Sequence, residues 1–188
     1  MGTIRDFKFK KIKNFLNKEE IKLLKSYCII KHRINFSDFD HEQSNNRDTF
    51  FSGDPLMESL MLNKKYLMEK EAGLELLPTY SYWRFYSKFA DLAKHKDRPS
   101  CEISVSIKID SDKTSWPIFI EGTPIELECG DGVIYLGCEL EHWREEFIGD
   151  YHIQTFLHYV DKNGPNKEWS MDKRDLYGID KDKLLTWK

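Results

Sequence analysis

Apolar and polar residues alternate along much of the second half of the chain, in the period-two pattern of half-buried strands. The alternation is clearest over residues 101–109, and residues 151–160 form the last strong strand. The other predicted strands are the aromatic-rich segment 79–86, a hairpin of 117–121 and 124–128 around Gly122, and residues 133–136 after a Gly-Asp-Gly turn.

Helical spacing replaces this alternation in the first part of the chain. Asn17 and Glu20 are placed as in a capping box, so we predict a helix within residues 8–30. A second helix is predicted over residues 55–73, which begin with proline and end with glycine. Residues 35–54, between the two helices, are polar and irregular, and we expect them to form a loop.

Helices followed by many short strands are typical of an antiparallel double sheet with helices outside it. We therefore predict a mainly β fold with flanking helices, namely a double-stranded β-helix (jelly roll) with the N-terminal helices packed outside the barrel. The 188 residues suit one domain, 1–188. Its expected parts are a helical and loop region at 1–78, a jelly-roll core at 79–165 and a charged, loosely packed tail at 166–188.

Composition limits the possible partners. The net charge is −3, and a chain without a basic surplus is unlike the usual nucleic-acid binder. The four cysteines have no metal-finger spacing, and the N-terminus has no apolar leader, so we expect free thiols, no membrane association and a cytoplasmic location. The oligomeric state stays open.

Candidate chemistry begins with His95-Lys96-Asp97. Two residues apart on an extended segment, an imidazole and a carboxylate leave the same face and can share one ion. A second imidazole must come from another strand, and His142, just after a buried strand, is the natural candidate. Two histidines and one carboxylate form the facial triad of non-haem Fe(II) oxygenases, which leaves coordination positions open.

Three further motifs accompany these residues: Arg84-Phe85-Tyr86 before the His-x-Asp, Ser104 and Ser106 in the strand after it, and Gly-Asp-Gly-Val-Ile-Tyr before His142. With them, the stretch 82–164 resembles the prolyl-4-hydroxylase-like branch of the 2-oxoglutarate/Fe(II)-dependent dioxygenases. The resemblance covers about half of the chain.

That resemblance implies a catalytic and metal-binding triad of His95, Asp97 and His142 that holds Fe(II). It further implies 2-oxoglutarate as cosubstrate, O2 as co-reactant and ascorbate as a candidate additive. The implied reaction is hydroxylation of a C–H bond in a peptide or amino-acid side chain, with release of succinate and CO2.

The cosubstrate residues depart from the family pattern. Relatives place a lysine or arginine about ten residues past the distal histidine, but residue 152 is histidine and no basic residue of that kind lies between 145 and 161. The nearest is Arg144, which would share the face of His142 on a strand and whose fork suits a carboxylate. We predict Arg144 as the carboxylate-binding residue, assisted by Tyr86, His152 and Gln154.

Less specific interpretations stay open at this point. The triad residues could be ordinary surface or loop residues, Arg144 could pair with Glu145 or Glu146, and Tyr86 could be a core aromatic. A jelly roll also hosts metal-free ligand-binding proteins and cupin-like isomerases. A halogenase is less favoured, because such enzymes usually lack the carboxylate ligand. The residues that could support the triad from behind are Arg98, Cys101 and Glu102.

Overall fold

The computed structural model describes residues 2–34 and 48–178. Within these ranges the helices are α1 (Ile4–Phe7), α2 (Lys18–Ile34) and α3 (Pro55–Ala72), with 3-10 turns at Pro99–Cys101 and Lys167–Lys173. The strands are β1 (Phe9–Ile12), β2 (Asp48–Ser52), β3 (Leu76–Ser87), β4 (Leu92–His95), β5 (Ile103–Ser111), β6 (Ile118–Ile120), β7 (Thr123–Ile125), β8 (Gly132–Tyr135), β9 (His142–Arg144) and β10 (Tyr151–Asp161).

The strands form two antiparallel sheets. The larger sheet has the order β1-β8-β5-β10-β3-β2, and the smaller one has the order β4-β9-β6-β7. This arrangement confirms the predicted jelly-roll fold. No helix within the described residues combines the length and the apolar character that a membrane span requires.

Strand β10 shows how the larger sheet separates two environments. Its whole length from residue 152 to 161 is buried, because β5 and β3 flank it and both of its faces are covered. Leu157 and Tyr159 face the apolar core, which includes Met61 and Met68 of α3, and the Tyr159 hydroxyl donates to the Met61 carbonyl at 2.7 Å. The alternate residues of β10, which are mostly polar, face the other way.

Local sequence rules account for both long helices. The capping box of α2 is confirmed: the Asn17 side chain accepts from the Glu20 amide at 2.9 Å, and the Glu20 carboxylate accepts from the Asn17 amide at 2.8 Å. At α3, Asp54 caps the first turn by accepting from the amides of residues 56 and 57. Gly73 ends that helix with φ +69°, a left-handed conformation that favours glycine.

Two expectations for the first part of the chain need correction. Residues 48–52, predicted as loop, form strand β2 paired with β3, while 35–47 lie outside the described residues. Residues 9–12 form strand β1 on β8. Both strands lie at an edge of the sheet, and segments of four or five residues are too short for their periodicity to indicate a strand on its own.

The tail was expected to pack loosely, and this is wrong for its described part, residues 166–178. Arg98 holds the carboxylate of Asp172 through two hydrogen bonds of 2.6 and 2.8 Å. The guanidinium of Arg174 is buried with Glu58 at 2.5 Å. Charged residues of the tail are ordered here because they pair with oppositely charged side chains. These partners lie far away in sequence, so composition alone cannot reveal the pairing. Residues 179–188 lie outside the described residues.

Candidate active site

The two predicted imidazole ligands lie side by side on neighbouring strands. His95 ends β4 and is the register partner of His142, which begins β9. Their ring centroids are 4.3 Å apart. Asp97 follows two residues after His95, and its Oδ1 atom lies 3.6 Å from Nε2 of His95 and 3.5 Å from Nε2 of His142. The structure therefore brings all three predicted residues together.

Backbone contacts orient both imidazoles. Nδ1 of His95 lies 2.7 Å from the carbonyl oxygen of Ala93, and Nδ1 of His142 lies 3.0 Å from that of Leu140. A carbonyl oxygen only accepts, so Nδ1 carries the hydrogen and Nε2 presents its lone pair. Such a hydrogen bond from the second nitrogen is usual for histidines that bind metals.

The three atoms fit a small divalent ion. Two ligand atoms that each lie about 2.1 Å from one ion are roughly 3.0–3.4 Å apart at octahedral or tetrahedral angles. The separations of 3.5 and 3.6 Å between Oδ1 of Asp97 and the two Nε2 atoms require only a small inward movement, and the three residues offer ligand atoms within 4.8 Å of one another. Burial alone would raise the pKa of Asp97, but the adjacent imidazoles of His142 and His95 outweigh it and hold that pKa below its usual value. The carboxylate is therefore ionised and suited to a cation.

Asp97 is held by a backbone hydrogen bond and has a glycine beside its carboxylate. Its backbone amide donates to the carbonyl of Gly137 at 2.9 Å, and its Oδ2 atom is buried with no hydrogen-bond partner among the described residues. A Cβ atom at Gly137 would collide with this oxygen and with the carbonyl of Cys101. The absence of a side chain at position 137 therefore leaves room for the carboxylate.

His158 is a neighbour of Asp97 that sequence reasoning missed. Asp97, Cys101 and His158 offer possible ligand atoms within 4.8 Å of one another. Nδ1 of His158 lies 2.8 Å from Oγ of Ser104, and burial lowers its pKa to about 4, so the ring is neutral. The period-two pattern places His158 on the same face of β10 as residues 152 and 154, and this pattern could have revealed it.

Of the three residues considered as supports for the triad, the structure places Cys101 beside Asp97. Arg98 instead turns to Asp172, and Glu102 accepts from Arg5 at 2.8 Å. Supporting contacts on the Asp97 side therefore come from Cys101 and from the glycine at position 137.

Arg144 lies two residues beyond His142 on β9 and is 2% exposed. Its guanidinium donates to the carbonyl of Trp116 and to Oε1 of Gln154, the latter at 3.3 Å. Glu145 and Glu146 are exposed, and within residues 2–34 and 48–178 no carboxylate forms an ion pair with Arg144. Burial lowers its pKa to about 10, which still leaves the group charged at neutral pH. A buried cation of this kind suits an anionic ligand.

The other predicted cosubstrate residues lie close to Arg144 and Trp116. Nε2 of His152 lies 2.7 Å from Oε1 of Gln154, and the Gln154 amide donates to Oγ of Ser106 at 2.7 Å. The Trp116 ring is 4.9 Å from Tyr86 and 5.1 Å from His152, both edge-on. Trp116 itself was not predicted, because it lies outside the regular strands.

A groove with a volume of about 680 Å³ opens beside the end of β5. Its lining includes Lys108, Asp110, Glu126 and Cys129, and none of the predicted site residues. Lys108 is the register partner of Gln154, so it is a second cation near the cosubstrate residues that the sequence analysis did not name. Lys108 is 8% exposed and borders this groove, whereas Arg144 is 2% exposed and donates directly to Gln154.

Solved structures with a similar fold are found for this chain, but sequence comparison finds no match. No protein-family model matches the chain, and no curated protein sequence matches it. Among solved structures, a Pseudomonas putida prolyl-4-hydroxylase is 14% identical with a TM-score of 0.66, covering 85% of this chain and 97% of its own. The carbocyclase SnoK of nogalamycin biosynthesis, described as non-haem and α-ketoglutarate dependent, is 13% identical with a TM-score of 0.69, covering 85% and 81%.

A viral collagen prolyl hydroxylase from Paramecium bursaria Chlorella virus-1, solved as a 2-oxoglutarate complex, is 12% identical with a TM-score of 0.63. It covers 84% of this chain and 98% of its own. The chain therefore has the double-stranded β-helix fold of the 2-oxoglutarate/Fe(II) oxygenases.

Proposed function

We propose that this chain is an Fe(II)- and 2-oxoglutarate-dependent oxygenase that hydroxylates a C–H bond of a peptide or amino-acid side chain. The observation that carries this proposal is the convergence of His95, Asp97 and His142, with one possible ligand atom of each within 4.8 Å of the others. The fold shared with oxygenases of this class supports it.

The protein residues would hold and orient the reactants. His95 and His142 present Nε2 because backbone carbonyls fix their tautomers, and ionised Asp97 supplies the charge. These three residues would hold Fe(II) and leave it accessible to the cosubstrate. When bound, the iron and 2-oxoglutarate would supply the oxidising chemistry that releases succinate and CO2. Arg144, on the same strand as His142, would hold the far carboxylate of the cosubstrate.

Turnover of 2-oxoglutarate tests the proposed function. Purified protein with Fe(II), ascorbate and 2-oxoglutarate is expected to form succinate, and the rate should rise when a panel of peptides or amino acids contains the substrate. Nucleic acids serve as the contrasting panel, since the charge balance disfavours them. Protein that retains neither iron nor 2-oxoglutarate would instead be a metal-free jelly-roll binding protein, and the proposed function would be wrong.

Replacing Arg144 with alanine is expected to raise the KM for 2-oxoglutarate by roughly 10–100-fold, because a charge-assisted hydrogen bond contributes about 1.5–3 kcal/mol. Bound metal should be unchanged, since Arg144 is not one of the three converging residues. Lys94→Ala, at an exposed lysine near the same strands, is the control and should leave KM unaltered. An unchanged KM in Arg144→Ala would transfer the carboxylate-binding role to His152 or Gln154.

The location and the partner of this chain are also proposals. All four cysteines are free thiols, as predicted, and this agrees with the proposed cytoplasmic location. A peptide or small molecule remains the proposed partner.

A further inference from the structure

Hydrogen bonds fix the protonation pattern beside Arg144. A guanidinium only donates, so the atom of Gln154 that Arg144 contacts at 3.3 Å is the amide oxygen. The same oxygen lies 2.7 Å from Nε2 of His152, so Nε2 carries the hydrogen in the neutral ring. The amide nitrogen of Gln154 is then correctly placed to donate to Ser106. His152 is left with a bare lone pair on Nδ1.

Two buried atoms in this network lack a hydrogen-bond partner among the described residues: Nδ1 of His152 and Nε of Arg144. Both side chains contact the Trp116 indole, with the guanidinium carbon 4.6 Å and the His152 ring 5.1 Å from the ring centroid. A buried acceptor and a buried cationic donor beside one ring suit a polar ligand, because unsatisfied buried polar groups are costly.

The charges around His152 oppose its protonation in the free protein. Arg144 reaches it from β9 and Lys108 from β5, while Tyr86 is its register partner on β3. The other rings against it are the uncharged Trp116 and Phe147. Burial first, and the Arg144 charge second, lower the pKa of His152 well below its usual value. An anion bound beside Arg144 would instead favour the protonated, positively charged form of His152.

We propose that His152 takes up one proton at Nδ1 when the far carboxylate of 2-oxoglutarate binds beside Arg144, so that an imidazolium and a guanidinium hold it together. The inference rests on the proposed function and deepens it. The proton comes from solvent, and no covalent bond of the ligand changes. His152 thereby supplies, only in the bound state, a second positive charge for the carboxylate.

Proton uptake makes cosubstrate binding depend on pH. A reaction that consumes a proton is favoured by acid, so the Kd for 2-oxoglutarate should rise with pH by up to about tenfold per unit between the free-state and bound-state pKa of His152. A 2-oxo acid without the far carboxylate, such as 2-oxobutyrate, binds only at the metal and should lack this dependence.

Titration calorimetry of the full chain loaded with Mn(II) measures the protons directly, through the change in apparent enthalpy between buffers of different ionisation enthalpy. Near neutral pH we expect uptake of about one proton with 2-oxoglutarate and none with 2-oxobutyrate. Binding of 2-oxoglutarate without proton uptake would overturn this proposal alone. Failure of 2-oxoglutarate to bind at all would overturn the proposed function with it.

His152→Gln provides the matched variant, since an amide can donate to Gln154 but cannot gain a proton in this pH range. We expect its proton uptake to vanish and its Kd for 2-oxoglutarate to become independent of pH. Persistent uptake of one proton in a folded His152→Gln protein would assign the proton to another group and refute the inference. The measurement on the unaltered chain stands even if this variant does not fold.

Discussion

Asp97→Ala is expected to abolish Fe(II) binding and 2-oxoglutarate turnover while the chain stays folded. Its Oδ1 atom is the anionic member of the three converging atoms, within 3.6 Å of both imidazole nitrogens. Loss of a residue that merely supports a metal ligand typically costs roughly 10–100-fold in affinity or activity, and loss of the ligand itself should exceed that. Metal content of the purified protein and succinate formation are the two measurements.

Lys96→Ala is the matched control, because Lys96 lies between His95 and Asp97 in sequence but is exposed. Its metal content and turnover should equal those of the unaltered chain. Circular dichroism should be unchanged in both variants. An Asp97→Ala protein that retains stoichiometric iron and normal turnover would refute the proposed triad.

Gly137→Ala is expected to disturb both stability and the metal centre. The added Cβ would meet Oδ2 of Asp97, the Cys101 carbonyl and, at 3.1 Å, Oγ of Ser104. A backbone carbonyl cannot rotate away as a flexible side chain can, so the free energy of unfolding should fall by about 1–3 kcal/mol. The carboxylate would be displaced as well, and Fe(II) affinity should fall. Urea denaturation and metal titration measure the two effects.

Gly122→Ala is the control for Gly137→Ala, because it introduces backbone strain without displacing a neighbouring side chain or carbonyl. Gly122 has φ +79° in the β6–β7 turn, and nothing lies within 4 Å of its would-be Cβ. The variant should lose roughly 1–2 kcal/mol from left-handed strain while its metal affinity stays unchanged. Equal metal affinity in Gly137→Ala and the unaltered chain would show that position 137 does not control the placement of Asp97.

The parts of the fold that the sequence predicted are those encoded locally. The alternation over 101–109 and 151–160 predicted the central strands β5 and β10, and Asn17 with Glu20 predicted the start of α2. Strands β1 and β2 were missed, because they are held by pairing with partners remote in sequence. The order of the tail was missed for the same reason, since Arg98 and Asp172 lie 74 residues apart.

In the candidate site, too, local sequence features were predictable and contacts between distant residues were not. Spacing and resemblance were enough to nominate His95, Asp97 and His142, whose convergence depends on the β4–β9 register. Arg144 was chosen because the expected position held histidine, and its enclosure beside Gln154 agrees with that choice without testing its role. His158 was missed although the period-two pattern of β10 could have revealed it. Trp116 and Gly137 could not be predicted, since each matters through a neighbour that only the folded chain supplies.

The clamp between Arg98 and Asp172 also has a consequence for the order in which the chain folds. Arg98 directly follows Asp97, and its two hydrogen bonds anchor the loop that carries Asp97 to residue 172, beyond the last strand. Pairing of β4 with β9 brings His95 and His142 together without this anchor. We therefore expect the Asp97 carboxylate to take its final position only after residues 166–178 have docked, so a late folding step would complete the proposed triad.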